Sequence, residues 1–247
     1  MIVDCHVHCK GGDLYRREFS AEEILRAMDE AGIAKSIVFA MCLPSLESQS
    51  MIDRVCSVDR DRLIPFAHVL PDEGPLALIE LERAVSDLGF RGLKAHVGEL
   101  TPGLTDVEMA DVLGPIIGKC GELDVPCLLD SGARPGLVQL LASQHPETKL
   151  IIAHLGASSG ETLIDRTINI AATHENLYLD TAYNHVPWKI ADAIRRCGAH
   201  KVVWGSDGPL IHPGIELKKI EVLGLPSEVF RAVTRDNILR LIGEDVA

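Results

Sequence analysis

Two hydrophobic patterns alternate along the whole chain. Short runs of apolar, β-branched and aromatic residues are each followed by a stretch in which apolar residues return every three or four positions. The first pattern predicts buried strands and the second predicts amphipathic helices. The predicted strands are 1–7, 36–41, 63–69, 92–97, 126–130, 149–154, 177–181 and 201–207. The helices predicted after the first strand are 21–31, 47–58, 76–88, 107–123, 135–143, 161–173, 188–197, 214–222 and 228–241.

Local signals mark several helix ends. Ser20 and Glu23 have the spacing of a capping box, and Gly32 follows the last apolar position of that helix. Pro115 falls inside the helix predicted over 107–123, where the missing N–H predicts a kink or a break.

Eight strand–helix units fit into 247 residues with no linker or low-complexity insert. This arrangement predicts an α/β protein with a single domain, 1–247, folded as a (β/α)₈ TIM barrel. A doubly wound open sheet is the competing topology. The even spacing of the units favours the barrel.

Composition narrows the set of partners. The formal net charge is −12 and the sequence pI is about 5.2, which argues against a nucleic-acid partner and against an anionic membrane surface. No apolar run reaches membrane length, and no leader pattern opens the sequence. Seven cysteines without a paired C-x-x-C spacing indicate a reducing compartment. We therefore expect a cytoplasmic protein that binds a small molecule, and a homodimer is compatible with the sequence.

Ionisable residues cluster near the ends of the predicted strands. His6 and His8 are two apart and therefore project from the same face of the first strand, whereas Cys5 and Cys9 fall on the other face and are expected to be buried thiols. The carboxyl ends of all strands in a barrel line one mouth, so these residues are expected to converge there. A divalent metal ion is the simplest compensation for burying them together. The strand-end set is His6, His8, Lys94, His96, Asp130, His154 and Asp207.

The sequence around these residues resembles the amidohydrolase superfamily, and most closely its amidohydrolase-2 branch, which includes aminocarboxymuconate semialdehyde decarboxylase-like enzymes. The resemblance covers essentially the whole chain. It rests on Asp4-x-His6-x-His8, on Gly92-Leu93-Lys94, and on the segments 152–156 (IAHLG), 176–181 (NLYLDT) and 205–209 (GSDGP).

The resemblance implies a metal-dependent barrel enzyme. His6, His8 and Asp207 would bind the metal, Asp207 would also carry a proton, and His154 would bind or orient a water molecule. The family usually has a ligand histidine where this chain has Asp130, and a carboxylate there can also bind a metal. One divalent ion is therefore expected, zinc first and manganese as the alternative, because a second carboxylate suits a harder ion. In relatives with two metals a lysine on the strand of Lys94 can be carbamylated and bridge them; this role is kept as an alternative.

The expected activity is hydrolysis of a small amide, lactam or ester bond by metal-activated water, with Asp207 and His154 as catalytic residues. The short chain favours a hydrolase over the first alternative, a metal-dependent non-oxidative decarboxylase. The second alternative is a catalytically silent binding barrel. Four residues are expected to contact a small substrate, including a carboxylated one: Lys94, His96, Arg134 and Asn184.

Overall fold

The computed structural model describes residues 1–12 and 15–246, and its strands form one parallel barrel. The first three strands pair in parallel in chain order, and the fourth to the ninth do the same, as buried strands joined by helical crossovers require. The strands are β1 (Val3–Lys10), β2 (Lys35–Ala40), β3 (Leu63–Pro65), β4 (Ala67–His68), β5 (Leu93–His96), β6 (Cys127–Asp130), β7 (Leu150–Ile152), β8 (Leu177–Asp180) and β9 (Val202–Val203).

β3 and β4 are two halves of the third barrel strand. The strand changes neighbours at Phe66, whose N–H donates to the carbonyl of Val38 on β2, whereas the next N–H, of Ala67, donates to Gly92 beside β5. The barrel closes where Cys5 N–H on β1 donates to the carbonyl of Trp204, 3.1 Å away. Eight strand positions therefore surround the axis, and the predicted (β/α)₈ barrel is confirmed.

The helices cover the outside of the barrel. The first one begins with the predicted capping box, because Ser20 Oγ accepts from Glu23 N–H and the Glu23 carboxylate accepts from Ser20 N–H; it ends at Gly32, which has a left-handed φ of 71°. The helices are α1 (Ala21–Ala31), α2 (Ser45–Cys56), α3 (Pro75–Ser86), α4 (Asp106–Glu122), α5 (Pro135–Gln144), α6 (Glu161–Ala171), α7 (Pro187–Cys197), α8 (Pro213–Glu221), α9 (Ser227–Arg231) and α10 (Asn237–Leu241).

Besides the split third strand, three elements differ clearly from the prediction. Pro115 does not split α4, because it lies on the exposed face of the helix, where water can bond the carbonyl that its ring leaves unpaired. The helix predicted over 228–241 is interrupted by a wider π-type turn at Ala232–Asp236 between α9 and α10. The last strand is only Val202–Val203, and the residues up to Asp207 turn into the barrel mouth.

The core has two layers. Side chains inside the barrel form one cluster that includes Phe39, Phe66, Leu128 and Ile151. A larger cluster fills the space between the strands and the helices. The seven cysteines are free, and Cys5 and Cys9 are buried as expected. Among the helices of the described residues, none has both the length and the apolar character that a bilayer span requires.

Candidate metal centre

His6 and His8 lie side by side on β1 and face the barrel interior. Their ring centroids are 5.2 Å apart, and both side chains are buried. The ring of Phe39 on β2 packs edge-on against both imidazoles, with centroid distances of 5.2 and 4.6 Å. The two-residue spacing on a strand therefore places both rings where the sequence predicted, beside an aromatic wall that limits their rotation.

Asp207 follows β9, the last barrel strand, and its carboxylate contacts both imidazoles. Its Oδ1 is 2.9 Å from His8 Nε2 and 3.2 Å from His6 Nε2. Its own N–H donates to the carbonyl of His6 at 2.9 Å, so the backbone fixes the carboxylate relative to β1. Ligands that surround a tetrahedral metal at about 2.0–2.1 Å lie about 3.3 Å from one another, so these distances are close to those of a ligand set.

Asp180, at the end of β8, fixes the orientation of His6. Its Oδ2 is 2.7 Å from His6 Nδ1, and its Oδ1 accepts the N–H of Ala182 at 2.8 Å. The proton of the His6 ring is therefore on Nδ1, and the lone pair of Nε2 points toward Asp207. Asp180 was not among the predicted site residues, although it ends a buried strand and lies in the segment 176–181 (NLYLDT).

This donor arrangement fits a divalent cation. A lone pair on His6 Nε2 that faces an Asp207 oxygen at 3.2 Å is repulsive unless positive charge lies between them. Nδ1 of His8 is buried and has no hydrogen-bond partner within the described residues. Within the same part of the chain, two groups of potential ligands each offer one ligand atom per residue within 4.8 Å of the others: His6 with His8 and Asp207, and His6 with His154 and Asp180.

The charge states agree with that fit. Burial lowers the pKa of His8 to about 4, more than its hydrogen bond with Asp207 raises it, so the imidazole is neutral at neutral pH, as a metal ligand must be. Burial raises the pKa of Asp207, but the contacts of its carboxylate with the imidazoles of His6 and His8 outweigh this effect and hold the pKa well below its ordinary value. Asp207 is therefore an anion in the site.

His154 lies in the turn after β7, beside the histidines of β1. Its ring centroid is 5.1 Å from that of His6, and its Nδ1–H donates to the carbonyl of Ala182 at 2.7 Å. Burial lowers the pKa of His154, but the hydrogen bond with Asp130 and the charges of Asp130, Asp207 and Asp180 outweigh it and raise the pKa to about 9. The ring therefore holds a proton on Nε2 at neutral pH.

Lys94 on β5 brings a buried positive charge to the same place. Its Nζ is 3.3 Å from His6 Nε2 and 5.1 Å from the centroid of the Phe39 ring, within the range of a cation–π contact. The side chain is fully buried. Lys94 thus reaches the ligand cluster, as the sequence predicted from its place on the fourth barrel strand.

Asp130 ends β6 and pairs with two histidines. Its Oδ2 is 3.2 Å from Nε2 of His96 and 3.3 Å from Nε2 of His154. Burial raises the pKa of Asp130, but hydrogen bonds from His154 and His96 outweigh it and hold the pKa well below its ordinary value. Asp130 belongs to neither ligand group found in the described chain, so its role as a metal ligand stays a prediction.

Two predicted substrate contacts lie elsewhere. The Nη1 of Arg134 donates to Asp106 Oδ1 at 2.6 Å. The Arg134 side chain does not line the cavity that opens over the His6, His8 and Asp207 cluster. Asn184 is fully buried and donates to the carbonyls of His154 and Ala157, at 3.2 and 3.0 Å. Neither contact supports direct substrate binding, and Asn184 instead holds the turn that carries His154.

A cavity of about 960 Å³ opens over the ligand cluster. His6, His8, Lys94 and Asp207 lie at its base. Glu99 is one of several lining residues that no sequence motif indicated, and its partner His68 lies on β4, 31 positions earlier: Nε2 of His68 is 2.7 Å from Glu99 Oε2. The walls of the cavity include Met41, Cys42, His96, Asp130, Ala133, His154, Ala157, Tyr183 and Leu210.

Strained backbone surrounds this cavity. Several non-glycine residues with positive φ lie two to four positions after the end of a barrel strand: Cys42 (63°), Ala133 (61°), His154 (60°), Tyr183 (51°) and Asp207 (63°). Each such residue costs of order 1–3 kcal/mol unless the surroundings hold it, and such residues concentrate at functional sites. This strain is independent of the side-chain chemistry and marks the same rim of the barrel.

The fold and the site together define the class of (β/α)₈-barrel enzymes that carry ionisable residues at the carboxyl ends of their strands. The chain belongs to the amidohydrolase family Amidohydro_2, whose model matches residues 3–243. The resemblance inferred from the sequence motifs is thereby confirmed.

Solved structures agree on the fold. The 2,6-dihydroxybenzoate decarboxylase from Rhizobium has a TM-score of 0.74 at 20% identity, covering 98% of each chain. A 5-carboxyvanillate decarboxylase from Novosphingobium aromaticivorans, complexed with manganese and 4-hydroxy-3-methoxy-5-nitrobenzoic acid, has a TM-score of 0.72 at 13% identity, covering 98% of this chain and 94% of the other. The 4-oxalomesaconate hydratase from Rhodopseudomonas palustris has a TM-score of 0.72 at 17% identity, covering 98% and 96%. No curated protein matches the chain by sequence.

These comparisons correct the expected activity. The expectation that the chain hydrolyses an amide, lactam or ester is wrong, because the similar structures are mostly decarboxylases. The short chain does not favour a hydrolase over a decarboxylase either, since the match with 2,6-dihydroxybenzoate decarboxylase covers 99% of that chain. Manganese occurs in two of these similar structures, and zinc is not specifically supported.

Proposed function

We propose that this protein is a metal-dependent, non-oxidative decarboxylase of a small hydroxylated aromatic carboxylic acid. The observation that carries the proposal is the convergence of His6 Nε2, His8 Nε2 and Asp207 Oδ1 within 4.8 Å, at the base of a cavity that also holds the buried ammonium of Lys94. A divalent ion held there, together with the ammonium of Lys94, would give the cavity base the positive charge that suits a carboxylate. The decarboxylases with the same fold act on such acids or are complexed with them.

His6, His8 and Asp207 would hold the metal ion, and manganese is the ion we propose. When bound, the divalent ion supplies positive charge that holds the substrate carboxylate and a neighbouring oxygen. Two imidazoles and one carboxylate leave coordination positions open for such oxygen ligands. Asp180 keeps the Nε2 lone pair of His6 directed at the ion position.

The reaction needs one proton per turnover. The bond between the ring carbon and the carboxylate carbon breaks, CO₂ leaves, the electron pair stays on the ring carbon, and a proton forms the new C–H bond. His154 holds a proton on Nε2 beside the cluster, since its Nδ1–H is already donated to the Ala182 carbonyl. We assign proton delivery to His154, whereas Asp207, the other residue expected to be catalytic, is an anion that would hold the metal.

The upper cavity can accommodate a ring. Met41, Ala157, Tyr183 and Leu210 line it with apolar surface, and Tyr183 packs edge-on against the ring of His154 at 6.0 Å. Such walls exclude water from the base of the site when a planar substrate fills the space between them, which strengthens the electrostatic contacts there.

The test is product analysis with the manganese-loaded protein. The substrates are 2,6-dihydroxybenzoate, 5-carboxyvanillate and related hydroxybenzoates, and the measurements are CO₂ release and the ring product by chromatography. We expect equal amounts of CO₂ and decarboxylated ring. Asp207→Asn should abolish release, whereas Asp111→Asn, an exposed change on α4, should retain it. If no tested aromatic acid releases CO₂, or the product gains water instead, the proposal is wrong.

A further inference from the structure

Three histidine and carboxylate groups form a line across the cavity wall. His96 ends β5 and is in register with Asp130 at the end of β6, and β7 on the next side leads into His154. The exposed fractions of these side chains fall along the line, from 29% through 19% to 12%. The line therefore runs from the solvent-facing rim toward the ligand cluster.

Both oxygens of Asp130 already have partners. Oδ1 accepts the N–H of Gly132 at 2.9 Å, and Oδ2 lies between the Nε2 atoms of His96 and His154, at 3.2 and 3.3 Å. A carboxylate offers about four lone-pair sites, and three of them are directed at these donors. Little of the Asp130 carboxylate remains for a metal ion.

Each histidine ring of the line is held at both of its nitrogens. His96 Nδ1 accepts the N–H of Gly98 at 2.8 Å, which leaves the ring proton on Nε2 for Asp130. Nδ1 of His154 is fixed by the Ala182 carbonyl, and its Nε2 faces Asp130. The Asp130 carboxylate is thus the shared anchor of the two rings.

We infer that Asp130 is a positioning residue rather than a metal ligand, and that through its carboxylate it holds the Nε2 atom of His154 in place at the ligand cluster. The backbone at this ring is strained, since His154 and Leu155 have φ of 60° and 54°. Asn184 helps to hold this conformation by donating a hydrogen bond to the His154 carbonyl. The metal would then be held by three protein groups, His6, His8 and Asp207. The catalytic part of this inference rests on the proposed decarboxylase function.

Asp130→Asn tests the inference, with Asp111→Asn as the matched loss of an exposed carboxylate. In the amide, one of the two oxygens becomes an NH₂ donor that must face either the Gly132 N–H or both imidazole N–H groups, so the three donors can no longer all be accepted and the anchoring of the two rings is disturbed. We expect the metal content per chain to equal that of the wild type, kcat to fall about 10–100-fold, as for other lost partners of site residues, and KM to change little. In ¹⁵N spectra, the ring nitrogens of His96 and His154 should shift while those of His6 and His8 do not.

A loss of bound metal in Asp130→Asn with metal retained in Asp111→Asn would show that Asp130 is a ligand and overturn the inference. Unchanged His154 nitrogen shifts would overturn it too. If Asp130→Asn does not fold, His96→Gln serves instead: it removes one donor, and the His154 signals should shift with full metal content. Failure of wild-type protein to release CO₂ would refute the decarboxylase proposal alone, because metal content and nitrogen shifts are measured without turnover.

Discussion

Asp180→Asn is the change that separates a metal-binding histidine from a merely buried one. In the native protein the Asp180 carboxylate accepts from His6 Nδ1 at 2.7 Å and from Ala182 N–H at 2.8 Å. An asparagine keeps the acceptor for Ala182 and turns its amide N–H₂ toward His6. The amide N–H and the Nδ1–H of His6 then face each other. The His6 ring can avoid this contact between two donors by moving its proton from Nδ1 to Nε2.

The magnitude follows from that shift. With its proton on Nε2, His6 has no lone pair directed at the position between itself, His8 and Asp207. Loss of such a carboxylate partner typically weakens metal affinity by about 10–100-fold, which corresponds to about 1.4–2.8 kcal/mol of binding free energy. The buried hydrogen bond to a charged group is itself worth about 1.5–3 kcal/mol, so the metal-free protein should also unfold more easily.

The assay is calorimetric titration of Mn²⁺ into metal-stripped protein, together with thermal unfolding in a chelator. The matched control is Asp165→Asn, whose carboxylate pairs with Lys189 and Arg196 in the helix layer. We expect weaker Mn²⁺ binding in Asp180→Asn and unchanged binding in the control. A folded Asp180→Asn variant that binds Mn²⁺ as tightly as the wild type would refute the reasoning that Asp180 sets the His6 tautomer.

Three further predictions concern stability. Burial raises the pKa of Glu99, but the hydrogen bond and charge of His68 outweigh it and lower the pKa below 4.5. The ionised Glu99 therefore stabilises the folded protein above pH 4.5, and this stabilisation is lost as the pH falls through the folded-state pKa. Urea unfolding should show Glu99→Gln less stable by about 1–3 kcal/mol at neutral pH, and a deficit that persists unchanged in strong acid would contradict this. Gly205→Ala should lower the free energy of unfolding by about 1–3 kcal/mol, because the added Cβ would lie 2.7 Å from the Cβ of His6. The control Gly118→Ala, on α4, should be neutral or stabilising, because its Cβ would have its nearest contact at 3.6 Å. Equal effects of the two changes would refute the packing argument. Mn²⁺ at about 100 times its Kd should add about 2.7 kcal/mol, or roughly 5–10 °C in Tm for a chain of this size, and a chelator should reverse the shift; no shift would mean that the native state does not bind the ion.

The sequence by itself determined the barrel and most of the residues at its mouth. Alternation of apolar runs with helical spacing depends only on local geometry, so strand and helix positions follow from the chain order. A parallel barrel brings every strand end to one rim. For this reason His6, His8, His154 and Asp207 could be placed together without any knowledge of the side-chain directions.

Only the tertiary structure decided which strand-end groups meet. Asp180 contacts His6 across 174 positions, and Glu99 contacts His68 across 31, and no local pattern encodes such pairings. Asp130 has the strand-end position of a ligand, but the end of β5 and the turn after β7 bring two imidazoles to its carboxylate. Strand periodicity gives the face on which a residue lies, whereas its partner depends on loop backbone angles that the periodicity does not contain.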